Sequence, residues 1–254
     1  MTDAITAHAQ ALIHARRSFE PTRAAALPPL PDADAAYAVQ AAVAEALALG
    51  DGRHARHWKS GGPSRGAVPT HAPLPAPGVW HSPADARHWP LHSRGIEAEI
   101  ALRLARDVTP AQAAAMDAGG AAALVDAMCV TIELVDSRWT EGLAAPPLAK
   151  LADLQSHGAL VLGDWTPFLP PDWSGQRCRV DIGARAPLEF IGTHAMNDPA
   201  FVLPVWLRHA TRGGATVRAG TVVTTGTWCG ILPARAGDRV TAEFPGIGAA
   251  ALQL

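Results

Sequence analysis

Lysine is almost missing from this sequence. Among 21 basic residues only Lys59 and Lys150 are lysines, and the rest are arginine. Arginine stays protonated and carries its charge on a wide planar group. It cannot replace a compact ammonium that must gain or lose a proton, so the two lysines are open to such a task, with a GC-rich genome as the alternative source of the bias. Cysteine is scarce as well. Cys129, Cys178 and Cys229 are odd in number, widely spaced and without a C-x-x-C pair. That excludes a disulfide framework and fits a reduced, cytoplasmic protein, with Cys129 and Cys178 as buried apolar filler. There is no basic block and no nucleic-acid-binding motif, and the formal net charge is -2. Nucleic acid is therefore not an expected partner. Apolar runs are short and broken by Pro, Gly and Arg, which excludes a membrane-crossing helix. The opening MTDAITAHAQALIHARRSFE lacks the basic head and long apolar stretch of a secretory signal.

What is present suffices for a large core: 254 residues, 48% of them hydrophobic. This fits one large domain, or a domain with an N-terminal helical extension. Apolar Ile5, Ala9, Leu12 and Ile13 recur at helical spacing and predict a helix over Asp3 to Arg17. A second helix is predicted from Asp34 to Leu49, with Asp32 or Asp34 as cap and Gly50 as stop. Gly61 to Pro90 is rich in Pro, Gly and His and reads as loops and short strands.

From Ile96 the period changes to two. In EAEIALRLA, Ala98, Ile100, Leu102 and Leu104 alternate with Glu97, Glu99, Ala101 and Arg103, the mark of a strand with one face in the core. Thr109 to Met116 predicts a short helix, followed by an alanine-rich one to about Asp126, and MCVTIELVDSR predicts a second strand. Strands and turns dominate from Gly158, interrupted by a helix over Pro199 to Thr211 with Gly213 and Gly214 as its stop. The class is α+β, with helices in front and a mixed sheet behind.

Glu97 and Glu99 stand one residue apart on a predicted strand, so both carboxylates project from one face. Like charges this close repel, and a hard divalent cation removes the penalty. Glu133, alternating with Ile132 and Leu134, completes the set if the two strands are neighbours. The alternative is a wet sheet face with no metal.

RGIEAEIALRL resembles the G-x-E-x-E-I-A strand of the fumarylacetoacetate hydrolase superfamily. TIELVDSRW is similar to the I-E-(I/V)-x-D-S-R strand of its 2-keto-4-pentenoate hydratase and 2-oxo acid decarboxylase branch. DAAYAVQ, HWKSGG, LADLQSHGALVLG and ARAGDRVTAEFPGIG follow in the same order, so the resemblance is collinear from about Asp34 to the C-terminus. It implies a mixed β-sheet roll or barrel with N-terminal helices: a helical segment 1–60 packed on a catalytic domain 61–254 as one unit. It implies that Glu97, Glu99 and Glu133 hold Mg2+ or Mn2+, that Lys59 stands beside the metal, and that Gly226 and Thr227 meet the substrate carboxylate. The substrate implied is a small 2-oxo acid, and the assembly a homo-oligomer. Metal-stabilised enolate chemistry serves several reactions. The first expectation is hydration of a 2-hydroxypenta-2,4-dienoate; the alternatives are decarboxylation of a 2-oxo-enedioate, acylpyruvate hydrolysis, and 2-oxo acid binding without turnover.

The sequence departs from the family pattern around the pocket. KSGGPSR replaces Lys-x-Gly-Leu-Thr-Ser, Leu154 stands where the pattern has Asn, Cys229 where it has Thr, and PGVWHSPADA carries His81 and Ser82 where an Asp is expected. His81 is the candidate to take over proton transfer, with a structural histidine as the alternative. Asp136 with Arg138 is expected to form a structural pair. Trp58, Trp139 and Trp228 are expected either to wall the pocket or to pack the core.

Overall fold

The computed structural model describes residues 2–47 and 55–254. Helix α1 (Asp3–Ser18) is capped by Thr2 and closed by Phe19 in the left-handed conformation. Helix α2 (Ala33–Ala46) is capped by Asp32, whose carboxylate accepts from the Ala35 N–H. Of the two candidate caps Asp32 serves, and Asp34 falls inside the first turn. The expected end at Leu49 and stop at Gly50 lie outside the described residues.

Strands β1 (His57–Gly61), β2 (Thr70–Pro73), β3 (Val79–His81) and β4 (Ala84–Asp85) come next, and β1 straddles residue 60. They are followed by β5 (Gly95–Leu104), helices α3 (Pro110–Ala114) and α4 (Ala118–Ala122), and β6 (Val125–Val135). Helix α5 (Pro147–Ala152) leads to β7 (His157–Leu162), β8 (Thr166–Pro167), β9 (Arg177–Ile182) and β10 (Leu188–Ile191). Helix α6 (Leu203–Ala210) precedes β11 (Val222–Thr227), β12 (Leu232–Pro233), β13 (Arg239–Phe244) and β14 (Gly248–Gln253).

Two predicted helices end differently. The alanine-rich helix stops at Ala122, and Asp126 already lies in β6, bonded to Arg103 of β5. Pro199 to Thr211 splits into a 3-10 turn (Pro199–Val202) and α6. Pro204 has no N–H for the Ala200 carbonyl, so a continuous α ladder cannot run through this point.

The larger sheet is mixed, with the order β2-β1-β11-β5-β6-β7-β3; β12 adds to β5 and β8 to β6. Pairs β1–β11 and β3–β7 are parallel, while β5 is antiparallel to both β11 and β6. The second sheet has the order β10-β9-β13-β14-β4. Ile96, Ala98, Ile100, Leu102 and Leu104 of β5 join Val130, Ile132 and Leu134 of β6 in the main core. Val240, Ala242 and Phe244 of β13 and Trp206 of α6 cover them. Part of the opposite face of the large sheet is covered too: Ala101, Cys129, Leu160, Leu162 and Val222 form a small apolar cluster there. One face of β5 lies in the main core as expected, and Glu99 and Ala101 on its other face are buried as well. Helices α1 and α2 build a third core with Trp139 and α5. No helix is long and apolar enough to cross a membrane among the described residues.

Candidate metal centre

Glu97 and Glu133 are direct cross-strand partners in the β5–β6 ladder, and Glu99 sits opposite Thr131. Directly opposed residues share a face. One oxygen from each of Glu97, Glu99 and Glu133 lies within 4.8 Å of the others. Glu99 and Glu133 are fully buried, and Glu97 is half-buried. Three carboxylates in an interior position cannot all ionise cheaply.

The electrostatics record this conflict. Burial raises Glu97 from 4.5 to about 8; the Lys59 charge opposes the rise, and Glu99 and Glu133 add to it. Burial and the Glu133 charge raise Glu99 to about 7, against Lys59 and the hydrogen bonds from Thr224 and Gly226. Glu133 goes the other way. Burial would raise it, but the Lys59 charge and the hydrogen bonds from His157 and Lys59 hold it below the usual range.

Lys59 comes from β1, two strands from β5, and its Nζ lies 2.5 Å from Glu133 Oε1. Burial pulls its ammonium toward neutrality, but the three glutamates overcome this and hold it charged. Nζ also donates to the Gln155 carbonyl at 3.3 Å. His157, the first residue of β7, places Nδ1 3.0 Å from the same Glu133 oxygen. Glu133 Oε2 is buried and has no hydrogen-bond partner among the described residues. On the other strand, Glu99 Oε2 accepts from the Thr224 hydroxyl and from the Gly226 N–H at 3.1 Å. An orphaned buried oxygen, two carboxylates held near neutrality by burial, and an all-oxygen donor set fit a hard divalent cation such as Mg2+, Mn2+ or Ca2+.

A cavity of about 440 Å3 opens on this cluster. Lys59, Glu97, Glu99, Gln155, Gly226 and Thr227 line its polar end. The expected substrate groups are near but occupied. The Gly226 N–H is given to Glu99, and the Thr227 hydroxyl donates to the Gly230 carbonyl at 3.1 Å. A bulge between Thr224 and Thr227, with Gly226 at φ 105°, turns β11 over the carboxylates. A side chain at that φ would be strained.

His81 is not brought to the site. It is the exposed last residue of β3 and does not line the cavity. Its row runs through Leu162 and Thr131 to Glu99, three strand spacings or about 14 Å along the sheet. Asp85 is exposed and bound to Arg87. Asp136 and Arg138 are 3.7 Å apart; the tighter partner of Arg138 is Asp153 at 2.7 Å, and Asp136 accepts from the Ser93 N–H at 2.7 Å. Trp58, Trp139 and Trp228 are core residues, none on this cavity.

Three residues of the site are not singled out by the sequence: His157, Thr224 and Gln155. Leu154, Gln155 and Ser156 all have positive φ, at 52°, 54° and 59°. Such a run of non-glycine residues costs about 1–2 kcal/mol per residue. It turns the Gln155 carbonyl onto Lys59 while the side-chain amide donates to the Thr70 hydroxyl. The one sequence signal was LADLQSHG, where a histidine opens an apolar run and a leucine replaces the pattern's asparagine.

The sequence profile for the C-terminal region of fumarylacetoacetate (FAA) hydrolase matches residues 46–254. No curated protein matches at the sequence level. Among solved structures, 4-oxalocrotonate decarboxylase from Pseudomonas putida G7, complexed with calcium and acetate, superposes with TM-score 0.81 and 19% identity, covering 100% of this chain and 98% of that one. The same enzyme with magnesium and adipate gives TM-score 0.81 at 19% identity, covering 98% of this chain and 96% of that one. A 5-carboxymethyl-2-hydroxymuconate delta-isomerase from Mycobacterium smegmatis gives 0.57 at 17% identity, covering 79% of this chain and 78% of that one. At these identities the likeness is one of fold.

Proposed function

The chain belongs to the fumarylacetoacetate hydrolase family, and from that premise we propose that it is a divalent-metal-dependent lyase that decarboxylates a 2-oxo-enedioate of the 4-oxalocrotonate type. The observation that carries this reading is what lines the cavity: Glu97 and Glu99 of the three-carboxylate cluster, the lysines Lys59 and Lys150, and no spare base among the described residues. Adding water to a dienoate, or hydrolysing an acylpyruvate, needs a base that activates water. His81 stands outside the cavity and His157 is bound to Glu133. Loss of CO2 needs no activated water. The full-length likeness to a decarboxylase of this class supports the same choice.

Glu97, Glu99 and Glu133 would hold Mg2+, with Mn2+ as the alternative. The bound ion would supply a Lewis acid for the 2-oxo group. When the C–C bond to the departing carboxylate breaks, its electron pair is delocalised toward the 2-oxo oxygen, and a proton must reach the product. Lys59 is the group beside the carboxylates that can deliver it, because Glu133 keeps the ammonium charged. His157 fixes Glu133 from behind, and the Leu154–Ser156 turn fixes Lys59. Gly226 and Thr224 anchor Glu99.

The test is a steady-state assay with 2-oxohex-3-enedioate, with and without Mg2+, following CO2 and analysing the products. Mg2+-dependent CO2 release is expected. A hydrated acid formed without CO2 would replace decarboxylation by hydration. Metal binding with no turnover of dienoates or enedioates would move the chain to a non-catalytic 2-oxo acid binder.

A further inference from the structure

Lys59 and Lys150, the two lysines of an otherwise arginine-based chain, line the same cavity. Proton delivery at the carboxylate cluster needs only Lys59. Lys150 sits in the last turn of α5, half-buried, with Nζ 3.0 Å from the Leu143 carbonyl. That carbonyl is neutral and takes one of three ammonium donors. Lys59 pairs with Glu133 at 2.5 Å, whereas Lys150 makes no ion pair with Glu97, Glu99 or Glu133 among the described residues. The second ammonium therefore stands outside the carboxylate cluster. Apolar Val135, Leu143, Pro147, Leu148, Leu151 and Ile231 make up much of the remaining wall. The cavity thus has a carboxylate end, an apolar flank and a separate cation. No other cation lines it among the described residues.

We propose that Lys150 is the specificity residue for the distal carboxylate of a dicarboxylic 2-oxo acid. This rests on the 2-oxo acid reading of the carboxylate end. A short apolar chain suits the flank, and an anionic far end suits a free ammonium, because a charge-assisted bond to a carboxylate is stronger than one to a neutral oxygen. A monocarboxylic 2-oxo acid would leave Lys150 with Leu143 alone. If that distal group is the one lost as CO2, the ion pair belongs to the bound substrate and weakens as charge leaves the carboxylate. Its removal then appears as a raised KM.

The experiment titrates the Mg2+-loaded protein with oxalate, 2-oxoadipate and 2-oxohexanoate by calorimetry. The last two have equal chain length and differ by the distal carboxylate. Wild type is expected to bind 2-oxoadipate about ten-fold more tightly than 2-oxohexanoate. Lys150→Met should abolish that difference by weakening 2-oxoadipate alone, and Lys150→Arg should restore most of it. Oxalate affinity should be the same in all three proteins. Equal binding of the two oxo acids by wild type, with oxalate still binding, overturns the role of Lys150 and leaves the 2-oxo acid reading standing. Parallel weakening of all three ligands in Lys150→Met overturns it as well, since that is a structural effect. Failure of wild type to bind oxalate or either acid overturns the underlying reading and this assignment with it.

Discussion

His157 Nδ1 lies 3.0 Å from Glu133 Oε1. An ionised carboxylate only accepts, so the proton of this bond belongs to Nδ1. Burial lowers the His157 pKa and keeps the ring neutral. The histidine therefore orients Glu133 without adding charge. His157→Ala should weaken Mg2+ binding about 10- to 100-fold, the usual effect of removing a group that orients a metal ligand. Calorimetric titration of the metal-stripped variant measures this, and an unchanged affinity would remove His157 from the site.

The raised carboxylates make stability and metal binding move in opposite directions with pH. Glu97 at about 8 and Glu99 at about 7 both lie above their ordinary 4.5. The folded metal-free protein therefore binds protons more tightly than the unfolded chain. The stability this gives is complete below 4.5 and lost as pH rises through 7 and 8. Glu133, held below its ordinary value, contributes with the opposite sign: its stabilisation is present above 4.5 and lost in acid. The Tm of metal-free protein should fall between pH 6 and pH 8.5, roughly the window of the two raised groups, and Glu97→Gln should flatten that slope. Over the same range Mg2+ affinity should rise, because protons and metal compete. A Tm independent of pH in wild type would contradict the assignment.

Removing different glutamates should have opposite effects on the empty protein. Glu97 accepts no hydrogen bond among the described residues and feels two like charges. Glu97→Ala should keep or raise the metal-free Tm at pH 8 and lose the Mg2+-induced rise. Glu133 compensates buried Lys59 and bonds His157. Glu133→Ala leaves an ammonium unpaired and should cost about 3–5 kcal/mol. Denaturant unfolding of both variants distinguishes them, and equal losses would refute the asymmetry.

The left-handed run at Leu154–Ser156 can be tested by comparing two substitutions at one position. Gln155→Ala and Gln155→Gly both remove the amide bonded to Thr70. Only glycine relieves the backbone at φ 54°. Gln155→Gly should be the more stable by about 1 kcal/mol, read from urea midpoints. Turnover should fall in both, because the carbonyl that holds Lys59 loses its fixed position.

The carboxylates were legible because a strand has period two. Glu97 and Glu99 share a face by spacing alone, and Ile132 and Leu134 identify the inward alternation around Glu133. What spacing could not give was the order β1-β11-β5-β6-β7. That order is not the chain order, and it brings Lys59 and His157 to the same oxygen from opposite sides. His81 was a candidate because it stands where the family pattern has Asp, but it ends β3, at the end of the sheet path. Thr224 was hidden by the bulge that separates it from Thr227. Helix starts were readable from caps, whereas the break at Leu203 depended on which carbonyl Pro204 left without a donor.

Asp153 holds Arg138, just beyond the Glu133 strand, at 2.7 Å and Arg16 of α1 at 3.1 Å. The Glu141 carboxylate accepts from the Ala24 and Ala25 N–H groups, and Thr22 bridges to Trp139. The family match starts at residue 46, but these bonds begin thirty residues earlier. A protein trimmed to the matched segment would leave the Asp153 pair one cation short and the Trp139 core open. The smallest piece worth expressing alone therefore begins at the first helix, and homology boundaries would be a poor guide for cutting this gene.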